Sequence, residues 1–242
     1  MSTPPLPPGH HLQAAIFWTG FHLRRKLRRR NFKLFAGGAA LLYVLARYGG
    51  RFSPEDLGQL YAVVFPGVLS LFFGTGVMRE EIEDQTLTYS FSRPVGRAWL
   101  YAARTLASVA PVALITVPLA FLAGTGTGPQ TATSFALAAF LGTAAYGALF
   151  ALAGQLIKWP TWFGLVFLLF WELSVSQVPG FLGRLTLLSH VRGIAGLAPT
   201  GNPWIALWEA PTMPVAIAVL LGVTTVLLVI GGQLVRRREF VL

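Results

Sequence analysis

Cysteine is absent, which excludes disulfides, thiolate chemistry and cysteine-ligated metals. Histidine is scarce. His10, His11, His22 and His190 are the whole set, and no pair has the spacing of a helix-borne metal site, so no metal is expected. Acid is scarce as well: nine Asp and Glu stand against nineteen Lys and Arg, a net charge of +10. Charged residues of both signs make up only 12% of the chain, where a soluble domain carries about 25%. Only three lysines occur, Lys26, Lys33 and Lys158. None follows a glycine, so the Gly-Lys-Ser/Thr phosphate cradle is missing and P-loop binding of ATP is excluded. No Gly-x-Ser-x-Gly elbow and no His-Glu-x-x-His helix occurs. The chain is therefore not expected to be an enzyme or to bind a cofactor of its own.

What is there is apolar. Hydrophobic residues make up 54% of the 242, and the mean hydropathy is +0.61. A core of this size could not hide so much apolar surface, so lipid must be the solvent for much of it. Six apolar segments are expected to span a membrane, over about 32–48, 57–77, 99–123, 132–156, 160–178 and 211–235. Each is near the roughly 20 residues that cross a hydrocarbon layer. Pro66, Pro111 and Pro118 fall inside these segments and predict kinks. The fold class expected is all-α: a six-helix membrane domain over 32–242, preceded by a disordered tail over 1–10 and an interfacial helix over 11–31. Met1 to Pro8 is proline-rich and uncharged, and the basic run follows the first apolar residues, so the start does not read as a signal peptide.

Residues 11–31 have the pattern of an amphipathic helix. Leu12, Ile16, Leu23 and Leu27 recur at helical spacing, Phe17, Trp18 and Phe21 widen the apolar face, and Arg24, Arg25, Lys26, Arg28, Arg29 and Arg30 fill the later turns. Such a helix lies in the headgroup plane, rings in the acyl boundary and cations on lipid phosphates. Equally, the run can serve simply as a positive anchor on the inner side. Its aromatic neighbours fit lipid better than nucleic acid, so no nucleic-acid partner is expected. With the amino terminus inside, fifteen of the nineteen Lys and Arg fall on the cytoplasmic side and only Arg47, Arg51, Arg184 and Arg192 on the other. This asymmetry predicts an inner, plasma-type membrane with both termini cytoplasmic.

Two connections are long. The outer link, about 179–210, carries Phe181, Leu182, Leu185, Leu187, Leu188, Trp204, Leu207 and Trp208. That is too apolar for a free loop, and short helices that dip into the outer leaflet or cap the bundle are expected. The inner link runs from Met78 to Arg97 and concentrates four acids, Glu80, Glu81, Glu83 and Asp84, within five positions. Glu80, Glu83 and Leu87 share one helical face, as do Asp84 and Thr88. Pro94 stops the helix, and Val95-Gly96-Arg97 turns the chain back. A short helix, acidic first and basic last, has the look of a docking surface; a solvated charged loop is the alternative.

The run Arg79-Glu80-Glu81-Ile82-Glu83-Asp84, then Thr86-Leu87, then Ser92-Arg93-Pro94-Val95-Gly96-Arg97, resembles the permease subunits of ABC-2-type ABC transporters. The family's usual glycine before the threonine is Gln85 here. The amphipathic first helix, the six spans and the apolar hairpin before the last span resemble that family too. The resemblance implies that Arg79, Glu80, Glu81, Glu83, Asp84, Thr86, Leu87, Arg93, Pro94 and Arg97 form a coupling helix seated in a groove of an ATP-binding subunit. It implies two permease copies, as a homodimer or a related pair, with ATP and Mg2+ held by a separate P-loop subunit, and an exporter as the working direction.

Glu172 is the one acid inside an expected span, and an ionisable group there is a functional candidate on the substrate path. It lies twelve residues beyond Pro160, or about 18 Å along a helix, past the midplane. A structural role, paired with Gln177 or an outer-loop arginine, is the competing expectation. Gly37, Gly38 and Ala40, and Gly142, Ala145, Gly147 and Ala151, mark small faces suited to close helix contact. A structural or assembly subunit of a membrane complex fits the same hydropathy. An intramembrane enzyme needs paired polar groups at one depth, and Glu172 stands alone.

Overall fold

The computed structural model describes residues 8–50, 52–77, 97–178, 180–198 and 210–237. Among the described residues the chain is entirely helical, without a strand. The helices are α1 (Pro8–Arg28), α2 (Arg30–Tyr48), α3 (Pro54–Gly74), α4 (Arg97–Gly124), α5 (Pro129–Leu156), α6 (Pro160–Val175), α7 (Phe181–Arg184), α8 (Leu187–Ala195) and α9 (Met213–Arg237). Four of them, α3, α4, α5 and α9, are long and apolar enough to cross a bilayer. The outer surface of the helices carries large apolar side chains, such as Leu106 of α4, Val226 of α9, and Trp162 and Phe170 of α6, each more than half exposed. Water would not tolerate such an exterior on a monomer, and it fits a membrane protein.

The remaining two expected spans are helical but do not reach that standard. α2 carries Arg30, Lys33 and Arg47 within its nineteen residues. α6 is sixteen residues, about 24 Å at 1.5 Å per residue, against a hydrocarbon layer of about 30 Å. The helix that was expected to begin at residue 11 begins at Pro8, so residues 8–10 are helix and not tail; proline is well placed there because the first N–H has no intrahelical acceptor in any case.

Local chemistry explains the helix starts. Ser53 caps α3 in a reciprocal box: its hydroxyl accepts the Asp56 N–H at 3.2 Å, and Asp56 Oδ2 accepts the Ser53 N–H at 2.9 Å. Pro54, Pro129 and Pro160 each occupy a helix's first residues. Pro66 cannot donate to the carbonyl four residues back, and just before it α3 widens into π-helix over Gln59–Val64, with the Phe65 N–H bonded to Leu60 O. α6 carries a second π stretch, Phe167–Val175, which contains Glu172. Such widenings concentrate at functional sites. α4 continues through Pro111 and Pro118 without a break.

α4 and α5 form the centre of the bundle, with α3, α8 and α9 packed around them. Buried Tyr61, Phe135, Tyr146, Phe150 and Leu220 fill the core. One end of the bundle gathers Val77, Tyr101, Ala151 and Val235 in a single apolar cluster. At the opposite end the α4–α5 turn meets Pro54 and Arg47, beside Gly126. Small residues let helices close. A side chain at Gly154 would stand 2.5 Å from the Thr75 carbonyl, and one at Gly147 would stand 2.4 Å from Val109 Cγ2. Gly142 of the same face abuts Val191 and Pro66. Gly37 and Gly38 of α2 differ: both are exposed, with nothing within 4 Å of the Cβ position.

The contrast gives a paired prediction. Gly154→Ala forces two backbones apart and should destabilise by about 1–3 kcal/mol. Gly37→Ala meets no neighbour and should be neutral or slightly stabilising, because alanine is the better helix former by up to about 1 kcal/mol. Thermal unfolding of the two variants in detergent checks this; equal midpoints would refute the packing argument.

Candidate functional site

The acidic link lies outside the described residues. Arg79, Glu80, Glu81, Glu83, Asp84, Thr86, Leu87, Arg93 and Pro94 all belong to it, and Arg97 opens α4 at its far end. The polar groups that the described helices bring together form two clusters, one around Glu172 and one beneath α1.

Glu172 is 1% exposed, and its carboxylate is fully engaged. Oε2 accepts the Tyr146 hydroxyl at 2.7 Å and the Leu188 N–H at 2.7 Å, while Oε1 accepts the Leu187 N–H at 3.2 Å. Leu187 and Leu188 are the first two residues of α8, whose leading N–H groups have no partner within their own helix. The third, Ser189 N–H, goes to the hydroxyl of Thr186 at 3.3 Å. All three leading donors are thereby satisfied by side chains, and the negative carboxylate faces the positive end of the helix. Gly196 ends α8 in the left-handed region at φ +68°, which favours glycine, and both its own N–H and that of Leu197 return to the Arg192 carbonyl.

α8 sits deep. Val191 lies against Gly142, thirteen residues into α5, and Pro66 of α3 is close by. From there the chain returns toward the start of α3, where the Gln59 amide donates to Ala198 O at 2.7 Å. Inside α8, Arg192 is 5% exposed, and its Nη1 donates to Ser176 Oγ at 3.2 Å. Its charge also acts on Glu172 and Tyr146. His190 places Nδ1 at 2.9 Å from the Thr186 carbonyl, so that nitrogen carries the proton.

The outer-loop arginine expected as a partner of Glu172 is thus Arg192, acting through charge. Tyr146, Thr186 and Ser176 are additions that no motif announced. The one signal that could have found Thr186 is its residue type, since threonine directly before an apolar helical run is a favoured N-cap. Beside this cluster lies a cavity of about 160 Å³ between α3 and α6, walled by Val63, Gly67, Leu71, Leu165 and Leu168, with Tyr146 and Glu172 at its edge. It is apolar apart from that edge. Among the described residues no group of His, Asp and Glu has the arrangement of a metal site.

The second cluster lies under α1. That helix packs along α4, though with an unexpected face. Thr19 Oγ1 donates to the Ala103 carbonyl at 3.4 Å, and Lys26 Nζ donates to Ser108 Oγ at 3.1 Å. Between them His22 lies close enough to Arg104 to feel its charge. Ile16, Phe17 and Phe21 point away, each more than half exposed. Trp18 stacks on His22 with centroids 5.4 Å apart and meets Phe17 and Phe21 edge-on. Arg24, Arg25, Arg28 and Arg30 are exposed, whereas Lys26 and Arg29 are half-buried. Burial, and then Arg104, Lys26 and Arg25, hold the His22 ring down to a pKa of about 4.

No protein-family model, curated protein or solved structure matches the chain.

Glu172→Ala leaves Tyr146 and two backbone N–H groups without an acceptor, at about 1–3 kcal/mol each. It should release α8, seen as faster hydrogen exchange over 187–195 with α5 unchanged; Tyr146→Phe, which keeps both backbone bonds, should cost about 1 kcal/mol. Unaltered exchange in Glu172→Ala would remove the carboxylate from its anchoring role. For His22 the sign follows from a depressed value. An undocked α1 has an ordinary histidine near 6.5 and takes up a proton first, so docking is complete above about pH 6.5 and weakens as pH falls toward 4. Histidine-selective NMR should give a midpoint near 4 for the resonance that His22→Gln deletes; a midpoint near 6.5 would contradict the buried arrangement.

Proposed function

We propose that the chain is the membrane-spanning subunit of an ATP-driven transporter whose nucleotide site belongs to a separate P-loop subunit. The observation that carries this reading is the segment Arg79–Arg97, with its acidic run, Thr86-Leu87 and Ser92-Arg93-Pro94-Val95-Gly96-Arg97. It resembles the coupling helix of ABC-2-type permeases. The flanking structure supports it. The described residues that flank it, Val77 and Arg97, stand at the end where Val77, Tyr101 and Val235 cluster and where Arg236 and Arg237 close α9. An acidic run joined to helices that carry basic residues at this end offers a partner charge of both signs.

In this reading α2 and α6 complete six crossings. α2 starts beside Phe72 and Phe73 and ends beside the α4–α5 turn, so it runs the full length of α3. α6 falls short by itself. The hairpin of α7 and α8 makes up the missing depth, entering from the outer side and ending against Glu172. The basic end of the bundle is then cytoplasmic, in an inner membrane, and export of a hydrophobic or amphipathic cargo by a pair of such subunits is the corresponding activity. A non-transporting assembly subunit is favoured by one feature: the only buried carboxylate among the described residues is consumed by internal hydrogen bonds.

Affinity capture of the intact chain should recover a protein whose sequence, read by mass spectrometry, contains Gly-Lys-Ser/Thr. Replacing Glu80, Glu81 and Glu83 together by Lys should abolish that recovery and any ATP-dependent transport. Undiminished recovery with the triple variant would sink the docking assignment, and recovery of cofactor-bearing subunits without an ATPase would favour the assembly role.

A further inference from the structure

The elbow between α1 and α2 encloses a cavity of about 250 Å³ whose two halves differ in chemistry. Lys26, Arg29 and Asn31 form one side; Phe32, Phe35, Phe72 and Phe73 form the other. We propose that it is a binding site for one anionic phospholipid, with the phosphate on Lys26 and Arg29 and an acyl chain laid along Phe35 and Phe72.

The cationic side is built into the fold. Lys26 is anchored by its bond to Ser108 Oγ at 3.1 Å, and Ser108 in turn donates to the Phe73 carbonyl at 3.1 Å. The ammonium therefore stays at the junction of α1, α3 and α4 and does not swing into solvent, and much of its side-chain entropy has been lost before any ligand arrives. Arg29 occupies the extended residue at which the chain turns from α1 into α2, and its planar fork suits a phosphate. Asn31 adds amide donors. No acidic residue occurs anywhere in the first 54 positions, so a net-negative headgroup meets only attraction from this part of the chain.

The apolar side selects a lipid over a free anion. Phe35 packs on Phe72 and Phe73 with centroids 5.5 and 5.7 Å apart, giving a continuous aromatic wall. Phe72 is 50% exposed on the bundle exterior, so that wall runs from the cations out onto the lipid-facing surface. A phosphate alone would leave it bare, while a diacyl lipid covers it. The inference does not depend on the transporter reading and would hold for an assembly subunit equally.

The test uses the intact chain in detergent micelles, titrated with dioctanoyl phosphatidylglycerol, dioctanoyl phosphatidylcholine or inorganic phosphate and followed by native mass spectrometry. One phosphatidylglycerol should bind, with phosphatidylcholine at least tenfold weaker and phosphate weaker still. Lys26→Gln with Arg29→Gln should weaken phosphatidylglycerol at least tenfold. Arg24→Gln with Arg28→Gln removes the same charge from exposed positions and should change it less than twofold. Arg29→Gln alone keeps the Lys26–Ser108 bond and should move in the same direction as the pair, so a folding defect in the double variant does not obscure the result. Equal losses from both double variants would mean diffuse attraction and overturn the site. Phosphatidylcholine binding as tightly would remove the charge selectivity, and phosphate binding as tightly would remove the lipid.

Discussion

A helix that begins inside an apolar bundle starts with three N–H groups and no water to receive them. Leaving such donors bare in a low-dielectric interior costs more than most single contacts return. Glu172 meets this constraint for α8 by taking two of the three, while Thr186 takes the last. The carboxylate is itself unaffordable at that depth without donors, so cap and capped helix stabilise each other. Tyr146 from α5 adds the remaining bond and ties the pair to the centre of the bundle. α6, α5 and α8 are joined through one side chain.

The consequences spread outward. α6 ends early, after sixteen residues, and the depth it leaves open is where α8 sits. α8 is held at the level of Pro66 and Gly142, and Leu188 at its start lines the apolar cavity between α3 and α6. At the other end of the molecule the logic is reversed. α1 presents Thr19, His22 and Lys26 to α4 and turns its rings outward, which is the arrangement of a helix whose surroundings are less polar than its binding face. Both clusters put polar groups between helices and apolar groups on the outside, as lipid solvation requires.

The apolar runs lie within about three residues of α2, α3, α4, α5, α6 and α9, whereas α7 and α8 had no expected bounds beyond short helices somewhere in 179–210. Prolines at residues 54, 129 and 160 mark starts, and the apolar runs are long enough to leave little choice of partner state. The two expected spans that fall below the standard do so for reasons the apolar runs did not weigh. Arg30, Lys33 and Arg47 load α2 with charge, and the π stretch in α6 shortens an already brief helix. The small faces divided in a way that no pattern announced. Gly147 and Gly154 are needed for contact, whereas Gly37 and Gly38 face open space. A glycine's type says that close approach is possible; only the neighbour's position says whether it occurs.

By itself the sequence determined the apolar solvent, the helical class and, having no cysteine and no Gly-Lys-Ser/Thr, the exclusion of thiol and P-loop chemistry. Those follow from composition and spacing, which do not depend on how helices pack. It also singled out Glu172, because a lone carboxylate in an apolar run has to be explained. Tertiary structure alone decided what that carboxylate does, since its donors come from residues 146, 187 and 188, brought together across three helix connections. It also decided that Lys26 faces inward to Ser108 while Arg24 and Arg28, equally cationic and on the same helix, face out. Direction around a helix axis is set by the partner it packs against, and the partner is a property of the fold.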